Sequence, residues 1–153
     1  MQIVKHPSKI LSQKLKEVKE ITPEIRGLIS NMKKQMVESL GVGLAANQVG
    51  QNLAIFVIDK KLAEENKVPD AYINPEITEY SKDKTEMEEG CLSLPEYFAS
   101  VARAKKIKIK ALDENGNKIK IKARGFLARV LQHETDHLNG VLIKEKVSKN
   151  YSN

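Results

Sequence analysis

"GFLARVLQHETDHLNG", Gly125 to Gly140, is where the chain's apolar pattern becomes helical. Phe126, Leu127, Val130, Leu131 and Leu138 form a stripe at helical spacing, and Gly140 offers a stop. On such a helix His133 and His137 lie one turn apart on one face, so both rings can reach one metal ion. Glu134 sits beside them, placed to exchange a proton with a water on that metal. The arrangement is H-E-x-x-H. It takes two of the 3 histidines in the chain. The third, His6, precedes Pro7 and reads as a surface or packing residue.

Upstream the pattern changes. "KKIKIKALDENGNKIKIKA" reads as a hairpin, with Ile107, Ile109, Ile119 and Ile121 on one face and lysines facing water. Asp113 to Asn117 supply its turn, and the lysines discourage edge-to-edge pairing. "LAIFVID", Leu53 to Asp59, reads as a buried strand. "AYINPEI" is a second, with Pro75 suggesting an edge or a bend. Thr22-Pro23-Glu24 starts an earlier helix: a hydroxyl cap, proline at the first position, then an acid. Ile25, Leu28, Ile29, Met32, Met36 and Leu40 carry it to a stop at Gly41. The expected fold is α+β: mostly antiparallel sheets packed around a central C-terminal helix carrying H-E-x-x-H, with an N-terminal helix. No linker interrupts residues 1–153, so one domain is expected.

Composition narrows the function classes. The chain has 153 residues, 41% hydrophobic and 30% charged, which suits a single globular domain. No apolar run reaches the length of a membrane span, and the N-terminus lacks the apolar core of a secretory signal. A cytoplasmic, membrane-free protein is expected. Net charge is +6, but the lysines are dispersed, aromatics are 5%, and no nucleic-acid-binding motif is present. The excess therefore suggests a solvated surface with weak attraction to large polyanions, not recognition of a specific nucleic acid.

A metal site needs another ligand. In the metzincin extension of H-E-x-x-H a glycine and a third histidine follow. Gly140 stands at the glycine position, but Ile143 stands where the histidine belongs. Proteases that use a distant downstream glutamate need more chain than "KEKVSKNYSN" provides, so the ligand must lie upstream. "MEEGCLSLPE" offers Cys91, the 1 cysteine in the chain. A lone cysteine is usually a small buried residue, yet a thiolate is a strong ligand for zinc or ferrous iron. Gly90 beside it allows close backbone approach. A further segment, "GVGLAANQVG", matches neither a P-loop nor a dinucleotide motif. It reads either as a plain connection or as a wall for a substrate backbone, with Gln48 as a polar contact.

Taken together, "GVGLAANQ", "EGCLS" and "QHETDHLNG" resemble, in order and without mismatch, the three motifs of the peptide deformylase family. The resemblance runs from "KHP" to "GVLI". It implies a metallohydrolase acting on a linear amide, removing the formyl group from N-formylmethionine of new polypeptides. By motif position Cys91, His133 and His137 hold one divalent metal ion, Fe2+ in most relatives, with Zn2+, Ni2+ or Co2+ as substitutes. Glu134 is then the acid/base, and Gln48 with the Leu92 N–H binds the formyl oxygen. An extended peptide lies against Val42, Gly43, Leu44 and Gly90. Val42, Phe126, Val130 and the His133 ring line a methionine pocket, and Arg103 matches an arginine that contacts the substrate backbone. Proline is frequent in the family at the position of Ala102.

Many bacterial relatives continue into a basic C-terminal helix that docks on ribosomes. The short tail here resembles reduced or phage-encoded members and implies at most a weak ribosome contact, in a bacterial or phage-host cytoplasm. The protein is expected to be monomeric. Two other readings remain on the residues alone: an H-E-x-x-H peptidase, which has no need of Cys91, and a non-catalytic module with a closed four-ligand metal.

Overall fold

A computed structural model describes residues 1–148. Residues 149–153, the last part of the expected short tail, lie outside the described residues. The first helix, α1, spans Pro23–Glu38, and the Thr22 hydroxyl accepts from the Ile25 amide as the cap pattern predicted. Its end differs from expectation. Leu40, not Gly41, takes the left-handed conformation (φ 58°), and the Gly41 amide closes on Met36 O. A leucine in that conformation costs roughly 1 kcal/mol, and this one is also 92% exposed.

Strand β1 is Gly43–Ala45, β2 is Ile55–Ile58, and a short helix α2 covers Lys60–Asn66. Asp59 caps α2 by accepting from the Leu62 amide. Strand β3 is Ala71–Tyr80, β4 is Lys84–Cys91, β5 is Leu94–Ala104, β6 is Lys106–Leu112 and β7 is Lys118–Arg124. Helix α3 is Gly125–Leu138. β1, β2, β3, β6 and β7 form one antiparallel sheet in that order, and β4 pairs with β5 in a separate hairpin. Pro75 does not mark an edge: β3 lies between β2 and β6. The register instead slips between Ile73 and Glu76, so the proline sits in a bulge that removes the need for its missing N–H.

The β6–β7 hairpin has the expected face, with Ile109 opposite Ile121 and Ala111 opposite Ile119. Those residues, α1 and the buried side of α3 make the main core with Phe56 and Tyr72, whose rings stack at 4.9 Å. α3 is central: ten of its fourteen residues are buried, including the polar Arg129, Gln132, Glu134 and His137. Gln132 pins it to the end of β5, accepting from Ala104 N and donating to Ala104 O. Gly140 lies against the backbone of Ser12 and Gln13, where a Cβ would meet atoms at 2.6 Å. The N-terminal segment is thereby strapped across the foot of α3, with the Leu15 amide on Leu138 O. Among the described residues no helix is long and apolar enough to cross a membrane.

Candidate active site

Three segments meet at the exposed side of α3. Cys91 ends β4 and is turned toward α3 by the register slip after Gly90. Its Sγ lies 3.4 Å from His137 Nε2, which lies 3.2 Å from His133 Nε2. The three ligand atoms all fall within 4.8 Å of one another. Metal–nitrogen bonds of about 2.0–2.1 Å and a metal–sulfur bond of about 2.3 Å in a tetrahedron separate the donors by roughly 3.3 and 3.6 Å. The Cys91–His137 and His137–His133 separations therefore already match ligand spacing. Two ring nitrogens this close also need a proton or a cation between their lone pairs.

The two imidazoles are shifted in opposite directions. Burial works against a charge on His133, but hydrogen bonds to Cys91 and Glu89 and the nearby Glu134 outweigh it, lifting its pKa to about 10. His137 is driven the other way, by burial first and then by His133. Two imidazoles and a thiol make an N₂S donor set, which fits a divalent transition metal.

Glu89 organises the site. Its carboxylate accepts from Arg103 through both Nε and Nη2, each at 2.9 Å, from Arg129 Nη1, and meets His133 Nδ1 at 2.9 Å. A carboxylate on the far nitrogen fixes the ring so that Nε2 points at the metal position. Despite the desolvation that opposes its charge, these partners hold Glu89 well below the usual carboxylate range. Sequence reading missed Glu89 as well as Arg129 and Asp136. One signal was present: Arg129 falls on the apolar face of α3, one turn before His133, and a buried arginine requires a buried acid.

Arg103 corrects an expectation. It does not face the substrate. Its side chain is 5% exposed, bidentate on Glu89 and also bonded to Asp136. All three of its nitrogens donate to carboxylates, and it is not among the residues that line the open groove.

Glu134 is buried beside the donors. Burial pushes its pKa up to about 7, against the pull of His133 and Arg103. Its Oε1 has no hydrogen-bond partner. Gly43 of β1 faces its other oxygen so closely that a Cβ there would lie 2.5 Å from Oε2. Gln48, in the turn after β1, accepts from Ala45 N and donates to Ser93 Oγ at 3.1 Å and toward Cys91 Sγ at 3.6 Å. Its amide is thus held against the cysteine loop that carries Leu92. Asn47 ties the same turn to the end of α3 by donating to His137 O at 2.8 Å.

A groove of about 480 Å³ opens over these groups. Val42, Gly43, Gln48, Gly90, Leu92, Phe126, Val130, His133 and Glu134 all line it. Leu44 does not: its side chain is fully buried, and its place is on β1, the edge strand of the main sheet. Of the eight large apolar side chains exposed among the described residues, Leu40, Val42, Met87, Phe98 and Phe126 border this groove. An exposed apolar cluster around a polar floor is the mark of a binding site.

The polypeptide deformylase family model matches residues 1–153. The chain belongs to that family. It is 51% identical over 133 residues to "Peptide deformylase 1" of Clostridium perfringens, covering 87% of this chain and 88% of the relative. The crystal structure of peptide deformylase from Thermotoga maritima superposes with a TM-score of 0.89 at 39% identity, covering 96% of this chain and 97% of that one. The Ehrlichia chaffeensis enzyme in complex with actinonin gives a TM-score of 0.89 at 41% identity, covering 97% and 89%. The chain is thus a hydrolase of a metal-dependent family that removes N-formyl groups from nascent peptides. The peptidase and non-catalytic readings fall away.

Proposed function

We propose that Cys91, His133 and His137 hold one divalent metal ion, Fe2+ in the cell and replaceable by Zn2+, Ni2+ or Co2+, and that the groove takes formyl-methionyl peptides. The juxtaposition of three ligand atoms with a buried Glu134 carboxylate whose Oε1 lacks a partner among the described residues carries this reading. A bound ion lowers the pKa of water and polarises the formyl carbonyl.

The chain's own residues supply the rest. The peptide adds as an extended strand between the free edge of β1, at Val42, Gly43 and Leu44, and Gly90 of β4. Main-chain hydrogen bonds give affinity and the methionine pocket gives choice. Val42, Phe126 and Val130 with the His133 ring form that pocket. Glu134 accepts a proton as water attacks the formyl carbon, and delivers it to the departing amine as the C–N bond breaks. Formate and a free N-terminus result. The Gln48 amide and the Leu92 N–H receive the charge that builds on the formyl oxygen. Losing one such donor costs about 2.7–4 kcal/mol of barrier.

The chain works as a single catalytic domain over residues 1–153, as a monomer in the cytoplasm, and meets the ribosome weakly through its positive charge. Formate release from formyl-Met-Ala-Ser tests the assignment, with the wild type and Cys91→Ala compared side by side. Anaerobically prepared, metal-loaded wild type should release formate and Cys91→Ala should not. Absence of formate from the loaded wild type defeats the reading.

A further inference from the structure

The outward face of the β6–β7 hairpin carries an arrangement that stability alone disfavours. Lys106 stands directly opposite Arg124, Lys108 opposite Lys122, and Lys110 opposite Lys120. Like charges directly opposite on antiparallel strands repel. β3 relieves only the β6 side, where Glu79 pairs with Lys108 at 3.0 Å and Glu76 with Lys110 at 3.4 Å. Among the described residues, Lys118, Lys120, Lys122 and Arg124 form no ion pair. The face holds seven cations against two carboxylates, an excess of five, where the whole chain has a net charge of +6.

Protection of a sheet edge does not account for it. Lysines on the edge strand β7 serve that end, but β6 lies between β3 and β7. Along each strand the cations recur roughly every 7 Å, a step comparable to that between successive phosphates. "KIKIKAL" and "KIKIKAR" offer no aromatic ring outward and turn their apolar residues to the core. Beside them Tyr80 of β3, 59% exposed, is the one aromatic lining the hollow shared with Lys106, Lys108, Lys122 and Arg124; a single ring is too little for a base-stacking platform or for insertion into a lipid surface. The face also runs into the active groove: Arg124 caps α3, and Phe126, two residues on, lines the groove.

We infer that this hairpin face docks on the phosphate backbone of folded RNA, the material of the ribosome where formylated chains emerge, and so presents the groove to them. The inference rests on the ribosome contact proposed above and assigns it a surface. Binding is independent of sequence and releases counterions, so it weakens steeply with salt.

The test is co-sedimentation of the full chain with purified ribosomes over a range of salt. Lys118→Gln/Lys120→Gln/Lys122→Gln is compared with wild type and with Lys14→Gln/Lys16→Gln/Lys19→Gln, an equal charge change on the exposed N-terminal segment. The hairpin variant should bind roughly ten-fold or more weakly, with a salt slope lower by two to three. Its release of formate from a short free peptide should match wild type, which also shows that it folds, and its melting point should not fall. The N-terminal variant should bind nearly as wild type. Equal losses in both variants, or none in the hairpin variant, overturn the docking face while leaving ribosome contact standing. No pelleting of wild type overturns both. Tighter binding to vesicles of anionic phospholipid than to ribosomes overturns RNA as the partner.

Discussion

Glu134 and Arg103 are both charged and buried, and their chemistry sets them apart. Among the described residues one Glu134 oxygen lacks a hydrogen-bond partner, whereas all three Arg103 nitrogens donate to carboxylates. Glu134→Gln keeps the shape and the donor set but cannot carry a proton. Formate release should fall by about 10²–10⁴ while metal content, measured by elemental analysis, stays at wild-type level. Near-normal turnover, or loss of the metal, would defeat the role. Arg103→Ala instead leaves the Glu89 carboxylate short of its bidentate partner. Removing one member of a buried ion pair costs about 3–5 kcal/mol, and Arg129 and His133 hold the loss toward the lower end. Chemical denaturation should show it, with Arg103→Lys partly restored. If stability is unchanged and KM alone rises, Arg103 touches substrate after all. The misassignment has a physical source. Sequence shows that an arginine is present; the depth of its guanidinium depends on Glu89 and Asp136, which lie 14 and 33 residues away.

Elements differ in how plainly the sequence announces them. α1, α3 and the β6–β7 hairpin each bury one face, so their periods of 3.6 and 2 are written in the apolar residues. β4 is exposed over most of its length and carries no alternation to read, although Cys91 stands at its end. β1 is three residues long and hides inside a glycine-rich run whose two readings stayed open. That short strand is where the site is least tolerant. A Cβ on Gly43 meets the Glu134 carboxylate at 2.5 Å, whereas one on Gly90 meets the Phe98 ring at 2.8 Å. The ring is 55% exposed and borders the open groove; the carboxylate is buried. Gly43→Ala should therefore reduce turnover much more than Gly90→Ala, with both melting near wild type. Parallel kcat and thermal-melt measurements decide it.

At the scale of the molecule, the proposed metal ligands come from α3 and from the last residue of β4, two bodies linked here through Glu89 and its arginines. A metal that bridges them acts on the whole fold. Ions that bind only the native state stabilise it by mass action, about 4 kcal/mol at a thousand times the dissociation constant. Chelation should lower the melting temperature by several degrees, and added nickel should restore it; an unchanged melt would mean that the donors are held without the ion.

The substrate edge has a consequence for inhibitor escape. A compound that lies along Val42 to Leu44 as a peptide does would be gripped by backbone, which mutation cannot remove. At the two glycines flanking its path, a bulkier residue meets Glu134, the proposed acid/base, at Gly43 and the Phe98 ring at Gly90. Resistance by substitution at Gly43 would cost the reaction it is meant to protect. Escape variants should instead gather at Leu40, Met87 and Phe98, the exposed apolar rim that the chemistry does not use.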